Sequence, residues 1–249
     1  MSEWVDYVIP TFVIFCRIGG CFMLVPGLSS GRIPVRFRVY IAVAVTLALA
    51  PIIVPDYLAA YGKVEGARLV ELIINEALVG ASIGLSVRVF MAALEFMGTA
   101  IAMFIGLGTL PGVSPADEPI PALASLISAI AVLLFFLLNL HLEVIRGLVL
   151  SFQFVPVGTF FDVQSGLERI ALAFSQAFFL VLQISGPFVA YGLMINLLFG
   201  LVNKMVPQIP AYFVSIPFLI FGGLLAMYFL LPEMLQIFFQ HFSRFIIEG

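Results

Sequence analysis

What most constrains this chain is a series of long apolar runs that charge scarcely interrupts. Residues 120–140 and 170–202 contain no Asp, Glu, Lys or Arg. A helix rises 1.5 Å per residue, so about 20 apolar residues cross a hydrocarbon core of about 30 Å. In that medium every backbone polar group must be satisfied within the spanning structure, which leaves helices as the natural solution. The runs therefore predict an all-α, polytopic membrane protein. Composition agrees: 63% of residues are hydrophobic and 10% charged, against about 45–50% and about 25% in a soluble domain. Lipid or apolar sister subunits must cover such a surface. The net charge is -3, with 11 basic residues scattered along the chain. There is no basic patch of the kind that gathers nucleic acid.

The first run covers 7–25, followed by a turn-rich basic loop over 27–38. A second covers 39–54 and is expected to close on Pro51 and Pro55. Residues 69–110 are apolar but for Glu71, Glu76, Arg88 and Glu95. That stretch is too long for one crossing, and it predicts two helices or a hairpin. The run 120–140 reads as the cleanest single span. The run 170–202 would reach about 50 Å as one helix, and Gly186-Pro187 offers a place to kink or turn. It predicts a long bent helix or a short hairpin. The last run, 205–231, begins with Pro207 and Pro210. Beyond it Glu233, Gln236, Gln240, Ser243 and Arg244 alternate at helical spacing with Leu235, Ile237, Phe238, Phe242 and Phe245. That pattern predicts an amphipathic terminal helix.

The opening residues Met1 to Asp6 lack the basic n-region of a cleavable signal peptide, so the first apolar segment is expected to be kept as a membrane helix. Arg32, Arg36 and Arg38 fall in the first loop, whereas Glu3 and Asp6 flank the N-terminus. By the excess of Lys and Arg in cytoplasmic loops, the N-terminus is expected outside. Lys63 and Arg68 weaken that bias. Cys16 and Cys21 lie in the first apolar segment with no His or carboxylate cluster beside them, and read as small packing residues.

Enzyme readings fail for want of parts. There is no GxxxxGK[ST] loop, HExxH or GxSxG, and the only histidines are His141 and His241. ATP hydrolysis, a metal site and an organic cofactor have no candidate residues. Charges inside apolar runs are the usual pointer to function, because one in hydrocarbon costs about 2.5–3.5 kcal/mol on insertion scales. Arg17, Glu71, Glu76, Arg88 and Glu95 are the candidates. One reading makes Glu71 and Glu76 relay carboxylates of a proton or ion pathway, with Arg17 or Arg88 as counterion. The simpler reading makes them interhelical or intersubunit salt bridges, or places them outside lipid altogether. It is preferred because they are not bunched at one helical level and have no partnering His. Gly80 and Gly84 form a small-xxx-small pair that lets another helix approach closely.

More specific are the polar, Gly and Pro residues set between the runs. Asn139, His141, Glu143 and Arg146 follow the 120–140 run, and Phe154 to Gly158, with Pro156, should stop that helix. Farther on, Asn196, Gly200, Asn203 and Lys204 fall at i, i+4, i+7 and i+8, a polar stripe on one helical face that leads into Pro207 and Gln208. With these landmarks the sequence resembles the FliR family of flagellar and virulence type III export gates, whose injectisome counterpart is SctT. The resemblance runs through Pro26 and the 32–38 loop, Gly80 to Gly84, Asn139-Leu140-His141 with Pro156 and Gly158, and the NLLFGLVNKMVPQ run with Pro217 after it. It covers nearly the whole chain in family order.

That resemblance implies a non-catalytic subunit of the export gate. It would assemble with FliP- and FliQ-like subunits into a channel for unfolded flagellar proteins and cooperate with FlhB- and FlhA-like components. The location implied is the bacterial inner membrane, in the flagellar basal body. Residues 1–160 would be a FliP-like helical region, and 161–249 a FliQ-like helical hairpin with an amphipathic C-terminal helix. Many relatives carry Phe residues followed by Asp-Pro in a loop that helps plug the pore. Here the loop reads Gly106, Leu107, Gly108, Thr109, Leu110, Pro111, Gly112, Val113, Ser114, Pro115. Gly106 and Pro111 are expected to keep it irregular, and Leu110 and Val113 are the candidates to take the place of the missing aromatic seal. The same part in a virulence injectisome is an alternative. A self-contained secondary transporter is disfavoured by the lack of an evident inverted repeat.

Overall fold

A computed structural model of the chain describes residues 2–26, 34–61, 66–108, 121–158, 162–206, 208 and 211–248. Among them there are seven helices and no strand: α1 Ser2–Leu24, α2 Val35–Tyr61, α3 Ala67–Phe104, α4 Ala122–Leu137, α5 Leu140–Phe154, α6 Val163–Met205 and α7 Ala211–Glu248. Five of these, α1, α2, α3, α6 and α7, are long and apolar enough to cross a membrane. The all-α, polytopic expectation holds.

Several expected boundaries are corrected. Where two helices or a hairpin were expected over 69–110, α3 runs unbroken from Ala67 to Phe104, 38 residues. At 1.5 Å per residue that is about 57 Å, well beyond a hydrocarbon core. Hydrocarbon thickness limits how much of a helix lipid covers, not how long the helix is. Of the two alternatives for 170–202, the structure has the long helix and not the hairpin: the run lies within α6, 43 residues with Pro187 inside. From Ala211 onward the final apolar run and the amphipathic tail are one helix, α7, with Pro217 and Pro232 inside. Likewise α2 carries Pro51 and Pro55 in its interior and continues to Tyr61. Proline is tolerated there because neighbouring helices and hydroxyl side chains can satisfy the backbone groups it frees. Helix α2 also begins before the basic loop was expected to end, so Arg36 and Arg38 belong to its first turns.

The cleanest apolar run fails as a single span. Helix α4 stops after 16 residues, and Asn139 adopts φ 56° and ψ 24°, in the left-handed region, before α5 begins. Asn is among the few residues that visit this region readily, because its short amide bonds locally. The Leu142 N–H then closes on the Asn139 carbonyl at 2.9 Å and starts the next helix. At the other end, α5 stops at Phe154 as Val155-Pro156 predicts.

The chain packs as two compact units. The first comprises residues 1–90, 139–174 and 245–249, and the second 91–138 and 175–244. Helices α3, α6 and α7 each contribute one end to each unit. In the first unit α1 packs along α2, and Val13, Ile14, Ile18, Leu72, Val144 and Leu148 are buried. Its Phe90 and Phe245 rings lie 4.8 Å apart. In the second, Leu94, Met97, Phe135, Phe188, Phe238 and Phe242 are buried, and Phe135 meets Phe242 edge to face at 5.9 Å, the separation favoured by ring quadrupoles. Large apolar side chains also stand outward, among them Phe221 at 72% and Met205 at 82% exposed. Such surface needs lipid or protein to cover it.

Candidate functional site

The first unit holds a charged cluster inside its apolar core. Arg17 of α1 is 0% exposed and Glu76 of α3 is 1% exposed. Arg17 Nε donates to Glu76 Oε2 at 2.5 Å. Its other nitrogens donate to Ser151 Oγ at 3.3 Å and to the Val155 carbonyl at 3.0 Å. The guanidinium carbon lies 4.1 Å from the centre of the Phe152 ring. Glu76 uses its second oxygen, Oε1, to accept the Gly158 N–H at 3.3 Å. Gly158 has φ 89°, which an L side chain rarely adopts. A buried ion pair offsets its desolvation only when further hydrogen bonds satisfy both partners. Here those bonds tie α1 and α3 to the end of α5 and to the Val155–Gly158 turn.

Glycine brings the two helices close enough for this pair. A Cβ on Gly80 would overlap the Arg17 carbonyl oxygen, one on Gly84 would lie 2.6 Å from the Cys21 carbonyl oxygen, and one on Gly20 would lie 2.8 Å from that of Ala77. Each distance is below van der Waals contact, so α1 and α3 touch backbone to backbone. The Gly80–Gly84 pair is the close approach that its spacing predicts. Gly20, the answering notch on α1, went unread. Its signal was a small residue four positions after Cys16.

The remaining charges in apolar segments are elsewhere. Glu71, Arg88 and Glu95 are exposed, and Glu95 Oε1 accepts from Ser128 Oγ at 3.1 Å. Glu71 lies five residues from Glu76, about 140° around the helix at 100° per residue. The structure does not bring the two together as a relay. Cys21 is buried and Cys16 partly so, and both are free thiols. Among the described residues no group of His, Cys, Asp and Glu could hold a metal ion.

Of the motif residues, Asn139 makes the α4–α5 break, His141 is partly buried in the first turn of α5, and Pro156 is exposed beside the Gly158 turn. Asn196, Gly200, Asn203 and Lys204 are all exposed on α6, as is Gln208 after it. A Cβ on Gly200 would meet nothing within 4 Å. Pro207, Leu110, Pro111 and Val113 lie outside the described residues.

Gly106 is described, and it ends α3. Its φ is 81°, its N–H bonds to the Met103 carbonyl at 3.3 Å, and the Leu107 N–H bonds to the Ala102 carbonyl at 2.8 Å. This pair of bonds around a left-handed glycine is the Schellman helix stop. In the second unit the helix end is seated in glycine notches. A Cβ on Gly192 of α6 would lie 2.5 Å from the Phe104 carbonyl oxygen, and one on Gly223 of α7 would overlap Ile105 Cβ. Next to Gly223, a Cβ on Gly222 would overlap the Tyr191 hydroxyl, which donates to the Phe218 carbonyl at 2.5 Å. Overpacking such a contact costs about 1–3 kcal/mol. Gly223→Ala is expected to lower the melting temperature in detergent, and Ile105→Ala added to it to restore much of the loss. Equal destabilisation with and without Ile105→Ala would show that the notch does not seat this side chain.

Residues 8–245 match the family described as bacterial export proteins, family 1. The chain is similar to the flagellar biosynthetic protein FliR of Caulobacter vibrioides, 29% identical over 85% of this chain and 84% of that one. It is also similar to the proteins of that name from Escherichia coli, 26% identical over 93% and 87%, and Aquifex aeolicus, 28% identical over 96% and 92%. With the match reaching from the first helix to the last, the chain belongs to the bacterial export proteins, family 1, the FliR family.

Proposed function

We propose that the chain is a structural subunit of the flagellar type III protein-export gate, in the bacterial inner membrane at the basal body. With FliP- and FliQ-like subunits it walls a channel for unfolded flagellar proteins, and it works beside FlhB- and FlhA-like components. Membership of an export family over residues 8–245 carries this reading. The relatives' printed name, flagellar biosynthetic protein, favours the flagellar system over an injectisome. In this reading residues 1–160 form the FliP-like region and 161–249 the FliQ-like hairpin, with the segment after Gly106 contributing to the seal.

The chain's part is architectural and not catalytic. Glu76, the one buried carboxylate among the described residues, is engaged on both oxygens by Arg17 and Gly158. Glu71 faces outward. This arrangement supports a clamp better than a proton relay. The exposed stripe Asn196, Gly200, Asn203 and Lys204 suits a polar neighbour, since intersubunit hydrogen bonds in a membrane assembly are worth about 0.6–2 kcal/mol each.

Purification of the tagged chain in mild detergent is expected to bring down FliP- and FliQ-like proteins. A stable monomer that binds a small solute would overturn the proposal. Asn203→Leu and Gln208→Leu are expected to reduce that co-purification and swimming motility together. Normal assembly in both variants would remove the stripe from the interface while leaving the subunit assignment standing.

A further inference from the structure

The first unit contains a groove that the export reading leaves unassigned. It has a volume of ≈ 190 Å³ and is lined by α3, α5, the start of α6 and the end of α7, with Ile83, Val87, Leu150 and Phe245 among its walls. An engineered apolar cavity of about 150 Å³ admits benzene, so this trough has room for one aromatic or branched aliphatic side chain. Two hydroxyls also line it, but both are committed to their own helices: Ser86 Oγ donates to the Ser82 carbonyl and Ser151 Oγ to the Leu148 carbonyl. Its single charged lining residue is Arg169.

Arg169 is partly buried and makes no ion pair or hydrogen bond with another described residue. Three carboxylates of the same unit are engaged elsewhere. Glu76 accepts from Arg17 and Gly158, Glu143 lies 4.0 Å from Arg146, and Glu168 accepts from Gln164 Nε2 at 3.1 Å. A guanidinium drawn partly out of water and left without an anion calls for a carboxylate, which its planar fork can hold bidentately. Phe154, 78% exposed, stands at the same groove. An exposed aromatic ring and an arginine around an apolar trough are what protein–protein interfaces are enriched in. We infer that the groove docks a second polypeptide, which inserts one large apolar side chain against Leu150 and Phe245 and sets a neighbouring Asp or Glu carboxylate on Arg169. The inference rests on the multi-subunit reading above and adds to it a contact other than the stripe Asn196 to Lys204.

A photoreactive phenylalanine analogue at position 154 of the full chain, irradiated in native membranes, tests this. It is expected to capture a second polypeptide, and the captured peptide to carry Asp or Glu within one helical turn of a large apolar residue. The yield should fall about tenfold in Arg169→Gln, the loss of one charge-assisted contact, and largely survive in Arg169→Lys. Leu150→Trp, which fills the trough and keeps the charge, is expected to reduce it too. Arg169→Glu should abolish capture, and Lys in place of the partner's captured carboxylate should restore it. Capture of lipid alone overturns the inference, as does a link within the chain, a captured peptide without a carboxylate, or unchanged yield in Arg169→Gln. If the Arg169 variants do not accumulate, the captured peptide's sequence and Leu150→Trp decide the matter. Co-purification of FliP- and FliQ-like proteins from the same membranes separates the two failures. If it persists while position 154 captures only lipid, the docking site falls and the subunit assignment stands; if the parent chain brings down no protein, both fall.

Discussion

Glu76→Ala with Arg17 left in place is expected to destabilise the folded chain by about 3–5 kcal/mol, because it strands an uncompensated guanidinium in an apolar core. Against a total stability of about 5–15 kcal/mol for a typical domain, that is enough to reduce accumulation in membranes severely. Arg17→Ala should do comparable damage, leaving Glu76 with only the Gly158 N–H. The double variant Arg17→Met, Glu76→Leu is expected to recover much of the loss, since well-packed apolar pairs often replace a buried ion pair at little cost. Its deficit should appear instead at the Val155–Gly158 turn, which loses both the Arg17 donor and the Glu76 acceptor. Glu71→Gln, on an exposed position, should stay within about 0.5 kcal/mol of the parent. Membrane accumulation and thermal melts in detergent measure all four. If Glu76→Ala melted with the parent, the cluster would not be a structural clamp.

The second large effect is steric. A Cβ on Gly80 would overlap backbone, the Arg17 carbonyl oxygen, and not the tip of a side chain that can swing aside. Gly80→Ala is therefore expected to force α1 away from α3, at a cost at the upper end of the about 1–3 kcal/mol typical of overpacking. Gly80→Leu should prevent the helices from docking. Because Arg17 is the contacting residue, the same displacement pulls the ion pair apart, and Gly80→Ala and Glu76→Ala should be less than additive. Gly200→Ala is the control. Its Cβ would meet nothing, and alanine is the better helix former by about 1 kcal/mol, so it should melt with the parent or above it. Similar melting temperatures for Gly80→Ala and Gly200→Ala would mean that the two helices do not touch at Gly80.

These two expectations concern one stripe. Glu76, Gly80 and Gly84 fall at i, i+4 and i+8 on α3, and Arg17 and Cys21 at i and i+4 on α1. The carboxylate and the notch that admits its partner thus share a helical face. That regularity is present in the sequence, and so is the preference for salt bridges over a relay. The partner is not. Arg17 and Arg88 were equal candidates as counterion, and nothing in spacing separates them. Packing does: Arg17 is carried inward by the α1–α3 crossing, whereas Arg88 is exposed. Glu71 illustrates the same point, since hydropathy cannot tell which side of a long apolar helix faces outward.

By itself the sequence determined the class of solution, all-α and built of membrane-length helices, and pointed to the export family to which residues 8–245 belong. It also marked Gly80, Gly84, Gly106 and Gly158 as places where helices meet or end. Apolar composition and special backbone residues act locally, so they are legible one segment at a time. Only the tertiary structure decided that Ala67–Phe104 is one helix, that the 120–140 run breaks at Asn139, and that prolines at 51, 55, 217 and 232 lie inside helices. It alone joined Arg17 to Glu76 and to the Val155–Gly158 turn. A buried charge is tolerated, and a proline or a left-handed Asn accommodated, according to what neighbouring helices supply. That supply comes from residues distant in the chain, which no local pattern records.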